Sequence, residues 1–241
     1  MRSNSCPTPM ISRRWMLPLI AIVAAVAYWQ GFDFDSKTAS IAFKMTPALA
    51  MALEVFRQRR WAAWPLTAAL AIHAVGDGVL NLGSEYLLAG MAAFFLGHLG
   101  YIAAFLPQRY PLAQLPLRRR AAIAALTLAM ISLTIYIWPM LRGPLVIASP
   151  IYSLALTAMA VAALLGRWHG PWVVVGALLF VLSDVVLGLK LFASQETLAP
   201  VIWPAYAAAQ ILMPLGYLAT SGISPAASLG TVTIEAADRL S

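Results

Sequence analysis

Long apolar runs dominate the chain, broken at intervals by short polar or basic segments. Eight runs stand out, at 15–32, 39–56, 61–81, 86–106, 121–139, 144–166, 170–191 and 200–220. Each is close to the roughly 20 residues a helix needs to cross the hydrocarbon layer. None alternates apolar and polar residues with a period of two, as a barrel strand would. Backbone groups in lipid must then bond within their own segment, which only helices allow. The pattern predicts an all-α polytopic bundle of about eight transmembrane helices over 15–220. A cytoplasmic tail (1–14) precedes it, and a small, polar, flexible tail (221–241) follows.

The first run has a competing reading. Arg13 and Arg14 followed by an apolar stretch ending Ala25-Val26-Ala27 also suit a secretory signal. The run continues through Tyr28 and Trp29, an aromatic pair of the interfacial kind, which favours a first span.

Composition agrees. Hydrophobic residues make up 61% of the chain and charged residues 10%, against about 25% charged in soluble domains. The net charge of +7 does not indicate nucleic-acid binding, because the basic residues cluster between the apolar runs. With the N-terminus inside, Arg2, Arg13, Arg14, Arg57, Arg59, Arg60, Arg109, Arg118, Arg119, Arg120, Arg167 and Arg239 fall on the inner side. Only Lys37, Arg142 and Lys190 fall outside. This bias puts both termini in the cytoplasm, and the expected location is a bacterial inner membrane. The single cysteine, Cys6, excludes an intrachain disulfide and a multi-cysteine metal site.

Ionisable residues inside spans are costly and usually face the bundle interior. Here they are Lys44, His73, Asp77, His98 and Asp184. Lys44, Asp77, Asp184, Tyr152, Tyr206 and Gln210 are all predicted within about 15 Å of the outer boundary. His98 and Tyr101 share a face of the fourth span nearer its middle. A buried polar pocket open to one side would need such an arrangement. Plainer roles compete: helix-end carboxylates, a snorkelling Lys44, hydrogen-bonded packing tyrosines, a structural His73 or His98, a solvated His169 and an interfacial Glu54 beside Arg57 and Gln58. Asp77 and Asp184 also open matching D-x-V-L-x-L segments on the third and seventh spans. Two parallel four-helix halves would produce that match.

H-E-x-x-H, G-x-S-x-G and G-x-x-x-x-G-K-[ST] do not occur, so zinc-protease, serine-hydrolase and P-loop readings lose support. The polar positions do fall within an ordered set of blocks. These are Ala74-Val75-Gly76-Asp77, then Phe94-Phe95-Leu96-Gly97-His98-Leu99-Gly100-Tyr101, then Pro150-Ile151-Tyr152. Gly176 to Asp184, ending Ser183-Asp184, and Tyr206-Ala207-Ala208-Ala209-Gln210 complete it. Over about 40–220 the set resembles the YhhN-like family, which includes the lysoplasmalogenases. The chain departs from that pattern at Met45-Thr46-Pro47 after Lys44, at His73 and at Val185.

The resemblance implies an eight-helix membrane hydrolase. It would cleave the vinyl ether bond of a lysoplasmalogen to a fatty aldehyde and glycerophosphoethanolamine or glycerophosphocholine. It puts Asp77 and Asp184 first as catalytic residues, with Lys44, His98, Tyr101, Tyr152, Tyr206 and Gln210 as pocket residues. The expected partners are a lysophospholipid and the bilayer, with no metal or cofactor. Two carboxyl groups suit this chemistry: one protonates the vinyl carbon, and the other stabilises the cation and activates water. The alternative is a non-enzymatic transporter or lipid-binding protein, which a buried Asp/His/Lys set also suits.

Overall fold

The computed structural model describes residues 15–31 and 36–220. Both predicted tails, Cys6 included, lie outside the described residues. Eight α-helices follow one another: α1 Met16–Trp29, α2 Lys37–Arg59, α3 Trp64–Leu80, α4 Leu87–Phe105, α5 Leu117–Ile137, α6 Leu145–Leu165, α7 Trp172–Ala193 and α8 Ala199–Thr220. No strand occurs among the described residues. Six helical stretches are long and apolar enough to cross a membrane. One of them, Lys37–Leu80, contains both α2 and α3. It folds back at Arg60, which takes a left-handed φ of 47°, so that α2 and α3 pack against each other. At 14 residues, α1 is shorter than a full span requires.

The surface confirms lipid as the solvent. Leu154 is 71% exposed, Ile147 69% and Ile135 66%. Such side chains on adjoining helices would form an untenable patch in water. Inside, small residues let the helices approach closely, as packing without a hydrophobic drive requires. A Cβ on Gly97 would fall 2.3 Å from the His73 ring, and one on Gly76 2.7 Å from Phe94. These glycines seat α3 against α4. Gly176 and Gly216 do the same for α7 against α8, where a Cβ on Gly216 would meet the Val173 backbone nitrogen at 2.8 Å.

Helix pairing also carries the pattern of two halves. The pairs α3/α4 and α7/α8 are the most intimate. Between halves, α2 packs on α8 and α4 packs on α6, and exchanging the halves converts one contact into the other. The first helices differ. α1 lies along α2 and α8, whereas α5 leans on α6 and meets α7 only sparsely.

The arginine-rich turns gather at one end. Arg119 donates to the carbonyls of Leu164 and Gly166, and Arg109 forms an isolated bridge with Gly166. Glu54 is fully buried there, but Arg57 (3.0 and 2.8 Å) and Gln58 satisfy its oxygens.

Candidate functional site

Two hydrogen-bonded chains of side chains run through the bundle toward the end opposite the arginines, and each ends on one of the two aspartates. The first begins at Tyr101 on α4, which is fully buried. Its hydroxyl donates to Gln210 Oε1 on α8 at 2.6 Å. Gln210 Nε2 donates to the Tyr206 hydroxyl oxygen at 2.8 Å, and Tyr206 donates to Asp77 Oδ2 on α3 at 2.7 Å. Gln210 lies one turn beyond Tyr206 on α8, so both face the same seam. Asp77 is 2% exposed. Lys44, half-buried on α2, and Asp184 both interact electrostatically with it.

The second chain is shorter. Tyr152 on α6 donates its hydroxyl to Asp184 Oδ2 on α7. The Tyr152 oxygen lies 3.2 Å from His98 Nε2 on α4. Because the tyrosine's one hydrogen goes to Asp184, its oxygen accepts, and Nε2 of His98 carries the proton. His98 Nε2 is also 3.9 Å from Asp184 Oδ2. His73 has the same tautomer, since its Nε2 faces the Phe94 carbonyl at 3.2 Å and a carbonyl only accepts. The Nδ1 atoms of both histidines are buried without a hydrogen-bond partner.

Aromatic rings fill the space between the two chains. Phe180, one turn before Asp184 on α7, has its ring centroid 5.0 Å from His98, 5.2 Å from His73 and 5.3 Å from Tyr206. Phe94 lies 5.0 Å from His73 and 5.8 Å from Tyr206. The chains are thus neighbours across a shared aromatic wall, and Tyr152 also lies in the electrostatic field of Asp77.

A cavity of about 120 Å³ opens on one side of this wall, among α4, α5, α6, α7 and the end of α3. Its lining is mostly aliphatic, with Asp184, Tyr152, Ser149, Ser153 and Thr134 as the polar members. Ser149 Oγ is buried there and has no partner. Asp184 lines the cavity and Asp77 does not.

All eight residues singled out in the sequence therefore lie in or beside one polar core. Asp77, Tyr206, Gln210 and Tyr101 form one set, with Lys44 in electrostatic reach; Asp184, Tyr152 and His98 form the other. Sequence reasoning missed Phe180, Ser149, Asn81 and the inward role of Tyr28. Tyr28 stacks on Trp203 with centroids 4.5 Å apart, and its hydroxyl points to Asn81 Oδ1 at 3.4 Å. Its place beside Trp29 near the end of a run made it look like a membrane-surface aromatic. Among the described residues no group of three or more His, Cys, Asp or Glu could hold a metal ion.

Comparison with known proteins agrees with the resemblance. The YhhN family matches residues 39–217. The lysoplasmalogenases of Mycobacterium tuberculosis and Mycobacterium bovis are each 39% identical over 175 residues, 70% of this chain and 65% of theirs. The chain thus spans just under two thirds of the mycobacterial proteins' length. Lysoplasmalogenase TMEM86B of Rattus norvegicus is 32% identical over 218 residues, 88% of this chain and 87% of the rat protein. No solved structure matches. With the family matched across α2 to α8 and both aspartates inside the matched region, this chain is a member of the YhhN family.

Proposed function

We propose that the protein is a membrane-embedded lysoplasmalogenase that hydrolyses the vinyl ether bond of a lysophospholipid. The observation that carries this reading is a pair of interior aspartates, each held by a tyrosine hydroxyl, one of which lines an apolar cavity. The relatives' names point to the same substrate. Its long apolar helices place the chain in a membrane. We read its arginine-rich end as cytoplasmic and the membrane as a bacterial inner membrane.

The reaction needs a proton donor, a counter-charge and one water. The substrate R–O–CH=CH–R′ takes a proton on its β-carbon and becomes an oxocarbenium ion. Water adds to the α-carbon and gives up a proton to a carboxylate. The hemiacetal then breaks its C–O bond: the departing oxygen takes a proton, and the hydroxyl gives one up to a carboxylate as the carbonyl forms. The products are R–OH and the aldehyde R′–CH2–CHO. We assign the donor's part to Asp184, because of the two acids it is the one that lines the cavity. The counter-charge falls to Asp77, which does not line the cavity and acts through its field on Asp184 and Tyr152. Tyr152 and His98 orient Asp184, and Lys44 meets the phosphate of the headgroup.

The test is direct. Protein purified in detergent is incubated with a lysoplasmalogen, and fatty aldehyde is measured. Aldehyde release that disappears in both Asp184→Asn and Asp77→Asn supports the reading. Absence of aldehyde from the folded wild type refutes it and returns the protein to the lipid-binding or transport class.

A further inference from the structure

The cavity beside Asp184 is too small for the chain it would serve. An engineered apolar cavity of about 150 Å³ takes up one benzene molecule. This one is about 120 Å³ and so holds only a short stretch of hydrocarbon next to the acid. The rest of a long chain has to leave the protein somewhere.

One wall is thin. α5 buries few of its side chains, Met130 and Ile137. Its ties run to α6 and not to α7: Thr134 Oγ1 lies 2.9 Å from Ser153 Oγ, and Arg119 donates to carbonyls just after α6 and at its end. Where α5 faces α7, the contact falls on a residue without a side chain. A Cβ on Gly188 would meet only Ile137 Cδ1, at 3.7 Å. Gly188 is one turn beyond Asp184 on the same helix face. The next residue outward on that side, Leu191, lines the cavity and is nonetheless 46% exposed. The cavity therefore meets the surface beside Leu191, near the C-terminal end of α7, with the α5/α7 contact as its next wall inward.

We propose that the seam between Ile137 on α5 and Gly188 on α7 is a lateral portal, through which the hydrocarbon chain of a single-chain lipid passes from the bilayer to Asp184. This rests on the lysoplasmalogenase reading. The seam is closed at this point by a light contact, since Gly188 offers no side chain to Ile137, and parting α5 from α7 there opens it.

The experiment uses the full-length protein in the Cys6→Ser background, which has no other cysteine. Ile137→Cys and Gly188→Cys are combined, and the same preparation is assayed before and after bridging with a short bifunctional maleimide. Bridging should lower aldehyde release from a long-chain lysoplasmalogen by about tenfold or more, as closing an access route does. Release from a short-chain analogue that fits within the cavity should fall much less. Equal long-chain rates before and after complete bridging overturn the portal. A second arm needs no turnover. A lysophosphatidylcholine carrying a diazirine in mid-chain is photolysed with the wild type. Labels on α5 and α7 around Ile137 and Leu191 support the portal, and labels confined to α1, α2 or α8 overturn it. If no vinyl ether substrate yields aldehyde, the hydrolase reading fails, and the labelling arm alone decides the portal.

Discussion

Tyr206 on α8 donates its hydroxyl hydrogen to Asp77 on α3 at 2.7 Å, joining residues 129 apart in the chain. Both are buried, and a buried acceptor that loses its donor bears most of its desolvation cost. Tyr206→Phe should therefore cost about 1–3 kcal/mol of stability. Thermal unfolding in detergent measures this, and an unchanged midpoint would show that Asp77 does not depend on the bond.

Asp184 and the tyrosine that holds it should differ in what their loss costs. Asp184→Asn removes the proposed donor itself, and a positioned acid contributes about 10²–10⁴-fold to rate. Tyr152→Phe leaves the carboxyl in place and removes only its anchor, so its loss should be smaller. Aldehyde release by the two variants under saturating substrate tests the order.

Lys44 lies on α2, away from the cavity but within the field of Asp77. If it meets the phosphate in the ground state and the transition state alike, Lys44→Ala should raise KM and leave kcat nearly unchanged. A fall in kcat alone would instead mean that it acts through Asp77.

Gly97 and His73 should be coupled. A methyl group on Gly97 would press into the imidazole at 2.3 Å, and overpacking of this kind costs about 1–3 kcal/mol. Gly97→Ala should destabilise the wild type and should cost much less when His73→Ala has made room. The double-mutant cycle reads the interaction, expected at about 0.5–3 kcal/mol for touching residues.

Hydropathy located every helix, because twenty apolar residues in a row have few other uses. It located helix ends less well. The run predicted at 121–139 begins as a helix at Leu117, since Arg118 to Arg120 extend α5 beyond the hydrocarbon. Their polarity marks the membrane boundary and not the end of the helix. In the same way, polar residues stood out against the apolar spans, so the members of the core were legible one by one. Their pairing was not. Nothing in the sequence near Asp77 indicates that its donor comes from α8, while that of Asp184 comes from α6. Phe180 was illegible for the opposite reason: a phenylalanine in an apolar span looks like any other packing residue, although this ring stands between the two chains.

The crossed pairing of those tyrosines has a consequence for recognition. Exchange of the two halves relates Asp77 on α3 to Asp184 on α7, but it does not relate a donor on α8 to a donor on α6. Each tyrosine follows a helix proline by two residues, Pro204 and Pro150, yet the two serve acids in non-equivalent ways. A faithful two-fold scaffold would accept a ligand in either of two opposite poses. This one has a cation in the field of one acid and a hydrocarbon-lined chamber beside the other, so on the proposed function an elongated amphiphile would have a single way round.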